Sequence, residues 1–113
     1  MRIVFENLKR LGKMPNQDLD NDKEDVLKKV REYETLFEKI QEPITIEEGK
    51  VLLSLLPDDK FYNLQWRILS FIEDIELTDM KIQKEYEELI SMCSNEEIKS
   101  NLIAGYENWK EQK

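Results

Sequence analysis

A proline-acidic corner divides residues 55–75, LLPDDKFYNLQWRILSFIEDI, into the end of one apolar helical run and the start of another. Pro57 cannot continue a helical hydrogen-bond ladder. Asp58 or Asp59 is expected to cap the helix that follows, over residues 60–75. So short a link leaves the two runs antiparallel, packed back to back. A chain built around such a corner folds as an all-α protein. Only three glycines and three prolines occur among its 113 residues, which suits long helices joined by short turns. The length fits a single helical domain over residues 1–113, with one core.

Apolar periodicity extends this reading along the chain. Val4, Leu8 and Leu11 lie at helical spacing, but Ile3 and Phe5 blur the period, so residues 3–11 are either a short helix or an edge strand. Residues 12–22, GKMPNQDLDND, read as a loop, with Asn21 or Asp22 capping the next helix. From residue 23 to about 40, Val26, Val30, Tyr33, Phe37 and Ile40 form one stripe, and Glu42-Pro43 ends it. Thr45 with Glu48 makes a capping box for a helix whose buried face is Val51, Leu52, Leu55 and Leu56. Phe61, Leu64, Ile68 and Ile72 face the core after the corner. Thr78 or Asp79 opens a helix through Ile82, Tyr86, Leu89 and Ile90. Ser94 with Glu97 looks like a second capping box, before Ile98, Leu102, Tyr106 and Trp109. Five or six antiparallel helices result, arranged as α-solenoid-like (HEAT-like) hairpins or as a compact helical bundle.

The side-chain inventory points away from catalysis. No histidine is present, so there is no imidazole base and no histidine-based triad. Cys93 stands between two helices with Glu96 and Glu97 close behind it, which works against a reactive thiolate. Asp18, Asp20 and Asp22 imitate the first ligands of a calcium loop. Its sixth and twelfth positions would be Lys23 and Lys29, where glycine and a bidentate glutamate are needed. Glu73 and Asp74 point about 100° apart on a helix. Glu85 and Glu88 share a face without a matching metal motif. The expectation is a protein that is not an enzyme and has no cofactor or metal. A small metal-dependent hydrolase built on clustered carboxylates is the remaining catalytic alternative.

Charge is more informative. The formal net charge is -8, and residues 73–97 account for most of it. Glu73, Asp74, Glu76, Asp79, Glu85, Glu87, Glu88, Glu96 and Glu97 are opposed there only by Lys81 and Lys84. Lys81–Glu85 and Lys84–Glu88 can pair at i,i+4, in the less favourable order. A negative surface disfavours nucleic acid and anionic membranes, and it steers a basic protein partner into contact. No apolar run is long enough for a membrane span, and the first residues lack the pattern of a signal peptide. A lone cysteine fits a reducing, cytoplasmic setting. The partner surface is therefore expected at Glu73, Asp74, Glu76, Asp79, Glu85 and Glu88, with Trp66 as an aromatic anchor. Tyr62, Tyr106 and Trp109 are further anchor candidates, and Trp109 is also expected to pin the last helix down.

Residues 52–75 also carry a family likeness. A leucine-rich helix ending in Leu56, Pro57, Asp58 and Asp59, followed by Tyr62, Leu64, Trp66, Leu69, Ile72 and Glu73, resembles a pattern in small helical immunity proteins. These proteins belong to bacterial polymorphic and contact-dependent toxin systems. The resemblance implies a cytoplasmic inhibitor that binds a cognate basic toxin domain, commonly a nuclease, and occludes its active-site cleft. A helical adaptor or regulator that binds a non-toxin protein is the alternative reading.

Overall fold

The structure, a computed structural model, describes residues 2–14 and 23–112. Six helices form among them: α1 (Ile3–Leu11), α2 (Lys23–Glu38), α3 (Ile46–Ser54), α4 (Leu64–Glu73), α5 (Met80–Ser91) and α6 (Glu96–Glu111). There is no strand among the described residues, and the ambiguous first segment is helical. The calcium-like trio Asp18, Asp20 and Asp22, and the caps expected at Asn21 or Asp22, lie outside the described residues.

The helices pair as three consecutive hairpins, α1–α2, α3–α4 and α5–α6. Helices α1, α3 and α5 form one layer, while α2, α4 and α6 form the other, with each hairpin packed only on its neighbour. Neither α1 and α5 nor α2 and α6 meet. This is the connectivity of a short solenoid, elongated to 47 × 28 × 18 Å.

Helices within a layer run parallel, and specific contacts fix their register. Arg2, just before α1, reaches Glu48 at the start of α3, with Nε 2.8 Å from Oε2 and Nη2 2.9 Å from Oε1. At the other ends of the same helices, Met14 N donates to Leu55 O at 2.8 Å. Between α2 and α4 runs an aromatic seam. Tyr33 meets Phe61 edge-on at 6.3 Å, and Phe37 meets Phe71 at 6.0 Å. Tyr33, Phe37 and Phe61 are fully buried, each contributing roughly 1.5–3 kcal/mol from the area removed from water. The Tyr33 hydroxyl is satisfied by the Gly12 carbonyl at 2.6 Å, and burial pushes its pKa up to about 12.

Two sequence expectations change at the turns. Helix α4 begins at Leu64, four residues later than expected, because Tyr62 and Asn63 adopt positive φ of 50° and 64°. Such left-handed residues cannot belong to an α-helix, and asparagine tolerates that region best among non-glycine residues. Asp58 and Asp59 therefore do not cap α4. Asp58 instead pairs with Lys13 at 2.6 Å, and Gln65 Oε1 accepts from Phe61 N at 3.1 Å.

The second change is at α6, whose cap is Asn95 and not Ser94. Asn95 is buried; its Oδ1 accepts from Ile98 N at 3.1 Å. Its Nδ2 donates to Pro57 O at 2.8 Å and to Asp59 O at 2.9 Å. An amide can accept and donate at once, whereas a serine hydroxyl could not span all three groups. The Thr45–Glu48 capping box is present as expected, and Asp79 caps α5 through Ile82 N at 2.8 Å.

Candidate acidic-aromatic site

Parallel layers bring the start of α3 and α5 and the end of α4 and α6 to one end of the stack. There the link between α4 and α5, residues 74–79, separates two hollows. The first, about 660 Å³, is lined by Glu73, Asp74, Glu76, Tyr86, Gly105, Tyr106 and Trp109, with Ile75, Leu77 and Thr78 along the link. The second, about 530 Å³, has an aliphatic floor of Pro43, Ile44, Ile46, Ile75 and Ile82, edged by Glu47, Glu76 and Glu85. Ile75, Glu76 and Thr78 form the wall they share. Among the described residues, no lysine or arginine lines either hollow.

Each carboxylate of the first hollow is held differently. Glu73 is the last residue of α4, and its Oε2 sits where a Cβ on Gly105 would stand 3.0 Å away. Glycine at this position lets the carboxylate lie against the wall of α6. That wall strips part of its hydration, and with the Asp74 charge beside it, the Glu73 pKa is raised. Asp74 stands beyond the helix end, so helical spacing no longer divides it from Glu73, and the two line the same hollow. The hydrogen bond between Glu42 and the Asp74 carboxyl raises the Glu42 pKa, reinforced by burial and by the Asp74 charge.

The aromatic side is equally ordered. Tyr86 and Tyr106 lie 5.3 Å apart, and Tyr106 stacks on Trp109 at 5.8 Å with only 15° between the planes. Burial, followed by the Glu73 charge, pushes the Tyr86 pKa up to about 12. Tyr106 Oη donates to Glu87 Oε2 at 2.9 Å, and burial together with this bond raises its pKa. The Lys110 ammonium lies 5.3 Å from the Tyr106 ring centroid and 3.9 Å from Glu87 Oε2.

The sequence-expected surface is therefore divided. Glu73, Asp74 and Glu76 gather on the first hollow, while Glu76 and Glu85 edge the second. Asp79 is committed to its helix cap. Glu88 is exposed further along α5 and lines neither hollow. Trp66, 37% exposed, lies two turns before Glu73 on α4, roughly 10 Å along the axis, also outside both. Neither Lys81 nor Lys84 forms an ion pair with its i+4 glutamate; ion pairs among the described residues include Arg2–Glu48, Lys13–Asp58 and Lys110–Glu87.

Sequence reasoning overlooked Tyr86 and Gly105 as lining residues and the approach of Glu42 to Asp74, and it gave Tyr106 and Trp109 as anchor candidates without joining them to the acidic cluster. Tyr106 and Trp109 at i,i+3 on α6 were a usable signal for a shared face. Nothing in the sequence placed Glu42 beside Asp74, since that contact depends on hairpin stacking.

Among the described residues, no three Cys, Asp or Glu side chains are placed to hold a metal ion. Cys93 is buried with its Sγ 3.5 Å from Asn95 O, and burial pushes the thiol pKa up. No helix among the described residues is long and apolar enough to cross a membrane. Comparison with known proteins gives no match to a family model, a curated protein or a solved structure.

Proposed function

We propose that this chain is an immunity protein: a stoichiometric inhibitor that binds a cognate basic toxin domain, a nuclease, and occludes its active-site cleft. The observation that carries this reading is the gathering of Glu73, Asp74 and Glu76 on one hollow that, among the described residues, no cationic side chain lines. Carboxylates left in that state are stabilised when a basic surface supplies the missing charge. They mimic the phosphates that a nuclease cleft is built to hold. The long-range negative field accelerates encounter, and a few desolvated contacts at the hollow supply most of the affinity.

The test is inhibition of the toxin domain encoded by the neighbouring gene. Titration of its nuclease activity with this chain is expected to reach full inhibition at a 1:1 ratio. Charge reversal at Glu73, Asp74, Glu76 and Glu85 should weaken inhibition and flatten its salt dependence, whereas reversal at Glu88 should change little. Full activity of the toxin at excess of this chain would overturn the reading. Unaltered inhibition by the folded Glu73/Asp74/Glu76/Glu85 variant would overturn the assignment of this surface.

A further inference from the structure

We infer that the hollow between the end of α4, the 74–79 link, α5 and α6 receives an arginine side chain of the partner. This inference rests on the proposed protein-binding function and names the chemistry that its surface recognises.

Three observations converge on a planar cation. First, the hollow is a recess and not a flat acidic patch, with about 660 Å³ of space. Second, its lining combines two chemistries, the Glu73 and Asp74 carboxylates at the end of α4 and the Tyr106–Trp109 stack on α6. A guanidinium uses both: its N–H fork donates to carboxylates while its flat face lies on an aromatic ring. A lysine ammonium satisfies the charge but gains less from a planar stack. Third, the same rail of aromatics already seats a cation. Lys110 lies over Tyr106 beside Glu87, so a ring flanked by a carboxylate holds a positive charge on this helix.

Gly105 completes the argument. A side chain there would approach Glu73 Oε2 at 3.0 Å and project into the recess. Its absence leaves the Glu73 carboxylate seated and the space beside it open. The raised Glu73 pKa has the same sense, because an entering cation relieves the penalty on the ionised form.

The test uses the full chain and two tripeptides, acetyl-Gly-Arg-Gly-amide and its citrulline counterpart, which has nearly the same shape without the charge. Two tryptophans give two indole N–H signals in an NMR titration, and Trp66 outside the hollow serves as the internal control. The arginine peptide is expected to shift the Trp109 indole and the Gly105 amide saturably and to leave Trp66 unmoved. The citrulline peptide should not. Glu73→Gln, an isosteric change, should weaken binding about tenfold, as for loss of a charge-assisted bond. Trp109→Leu should weaken it about threefold. Equal shifts from both peptides, shifts at Trp66 alone, or unaltered affinity in Glu73→Gln would overturn the inference.

The two readings fail separately. Saturable arginine binding with no inhibition of the neighbouring toxin would leave the hollow standing and remove the immunity function. Inhibition unaffected by Glu73→Gln and Trp109→Leu, with no shift from the peptide, would do the reverse.

Discussion

Two polar clusters at opposite ends of the stack handle their groups in opposite ways. At the corner end, where α3 meets α4 and α5 meets α6, the buried Asn95 amide satisfies Ile98 N, Pro57 O and Asp59 O together. At the acidic end, burial and the Asp74 charge hold Glu73 above its usual pKa, and hydrogen bonding with Asp74 does so for Glu42. The Asn95 cluster converts polar groups into internal links between segments. The Glu73–Asp74 cluster leaves charge facing outward at some expense to the fold, although the Arg2–Glu48 pair and the Thr45 and Asp79 caps supply structural links at the same end. Residues that hold the chain together and residues proposed to bind a partner are thus different side chains, side by side at the acidic end.

The contrast breaks most sharply at Asn95. Asn95→Ala removes a cap and takes the Nδ2 donor from the buried Pro57 carbonyl, a loss of about 2–4 kcal/mol in denaturant unfolding. Ser94→Ala, at the position the sequence pattern favours, should cost less than about 0.5 kcal/mol. An equal loss in both would return the cap to Ser94.

Glu48 offers the next effect. Its carboxylate closes the Thr45 capping box and takes the Arg2 guanidinium. Glu48→Ala should cost about 1–2 kcal/mol, mainly through the cap because Arg2 is partly exposed. The Arg2 guanidinium beside it holds the Glu48 carboxyl below the usual glutamate range. This contribution is therefore complete above about pH 4.3 and is lost as pH falls through the lowered value. A Glu48→Ala difference that stays constant down to acid pH would contradict it.

Glycines sharpen the comparison further. A Cβ at Gly49 meets Leu89 at 3.0 Å, Ile72 at 3.2 Å and Ile75 at 3.3 Å, all packed core side chains. Gly49→Ala should cost about 1 kcal/mol net, as overpacking exceeds the gain in helix propensity. A Cβ at Gly105 meets only the flexible end of Glu73. Gly105→Ala should stabilise by about 0.5–1 kcal/mol while weakening binding of the arginine tripeptide. Thermal melts of both variants check the signs.

The smallest effect is at Glu73 itself. A carboxyl whose folded pKa is raised favours the fold fully below its ordinary range, and that advantage disappears as pH rises through the raised value. Glu73→Gln should therefore raise the melting temperature slightly at pH 7, with the gain vanishing in acid. A lower melting temperature at pH 7 would show that the ionised carboxylate supports the fold.

Apolar spacing made most of the helical layout readable. Val26, Val30, Tyr33 and Phe37 marked α2, Thr45 with Glu48 marked the start of α3, and the α3–α4 and α5–α6 hairpins followed from their short links. The start of α4 was misplaced because left-handed backbone at Tyr62 and Asn63 overrides the cap propensity of Asp58 and Asp59. Asn95 was missed because its value comes from carbonyls 36 and 38 residues away, which local pattern does not contain. At the site, the acidic concentration was legible in composition. Its separation into Glu73, Asp74 and Glu76 on one hollow, Glu85 on another and Asp79 in a cap required three-dimensional packing.

The central claim, that the Glu73–Asp74–Glu76 cluster serves binding and not stability, is tested most directly by one triple variant, Glu73→Gln, Asp74→Asn and Glu76→Gln. Its unfolding midpoint and its association rate with the neighbouring toxin domain are measured together at low and high salt. The account predicts a midpoint equal to or above that of the unaltered chain. It also predicts association at least about tenfold slower at low salt, with a flatter salt dependence. A destabilised fold, or an association rate and salt dependence that do not change, would contradict it.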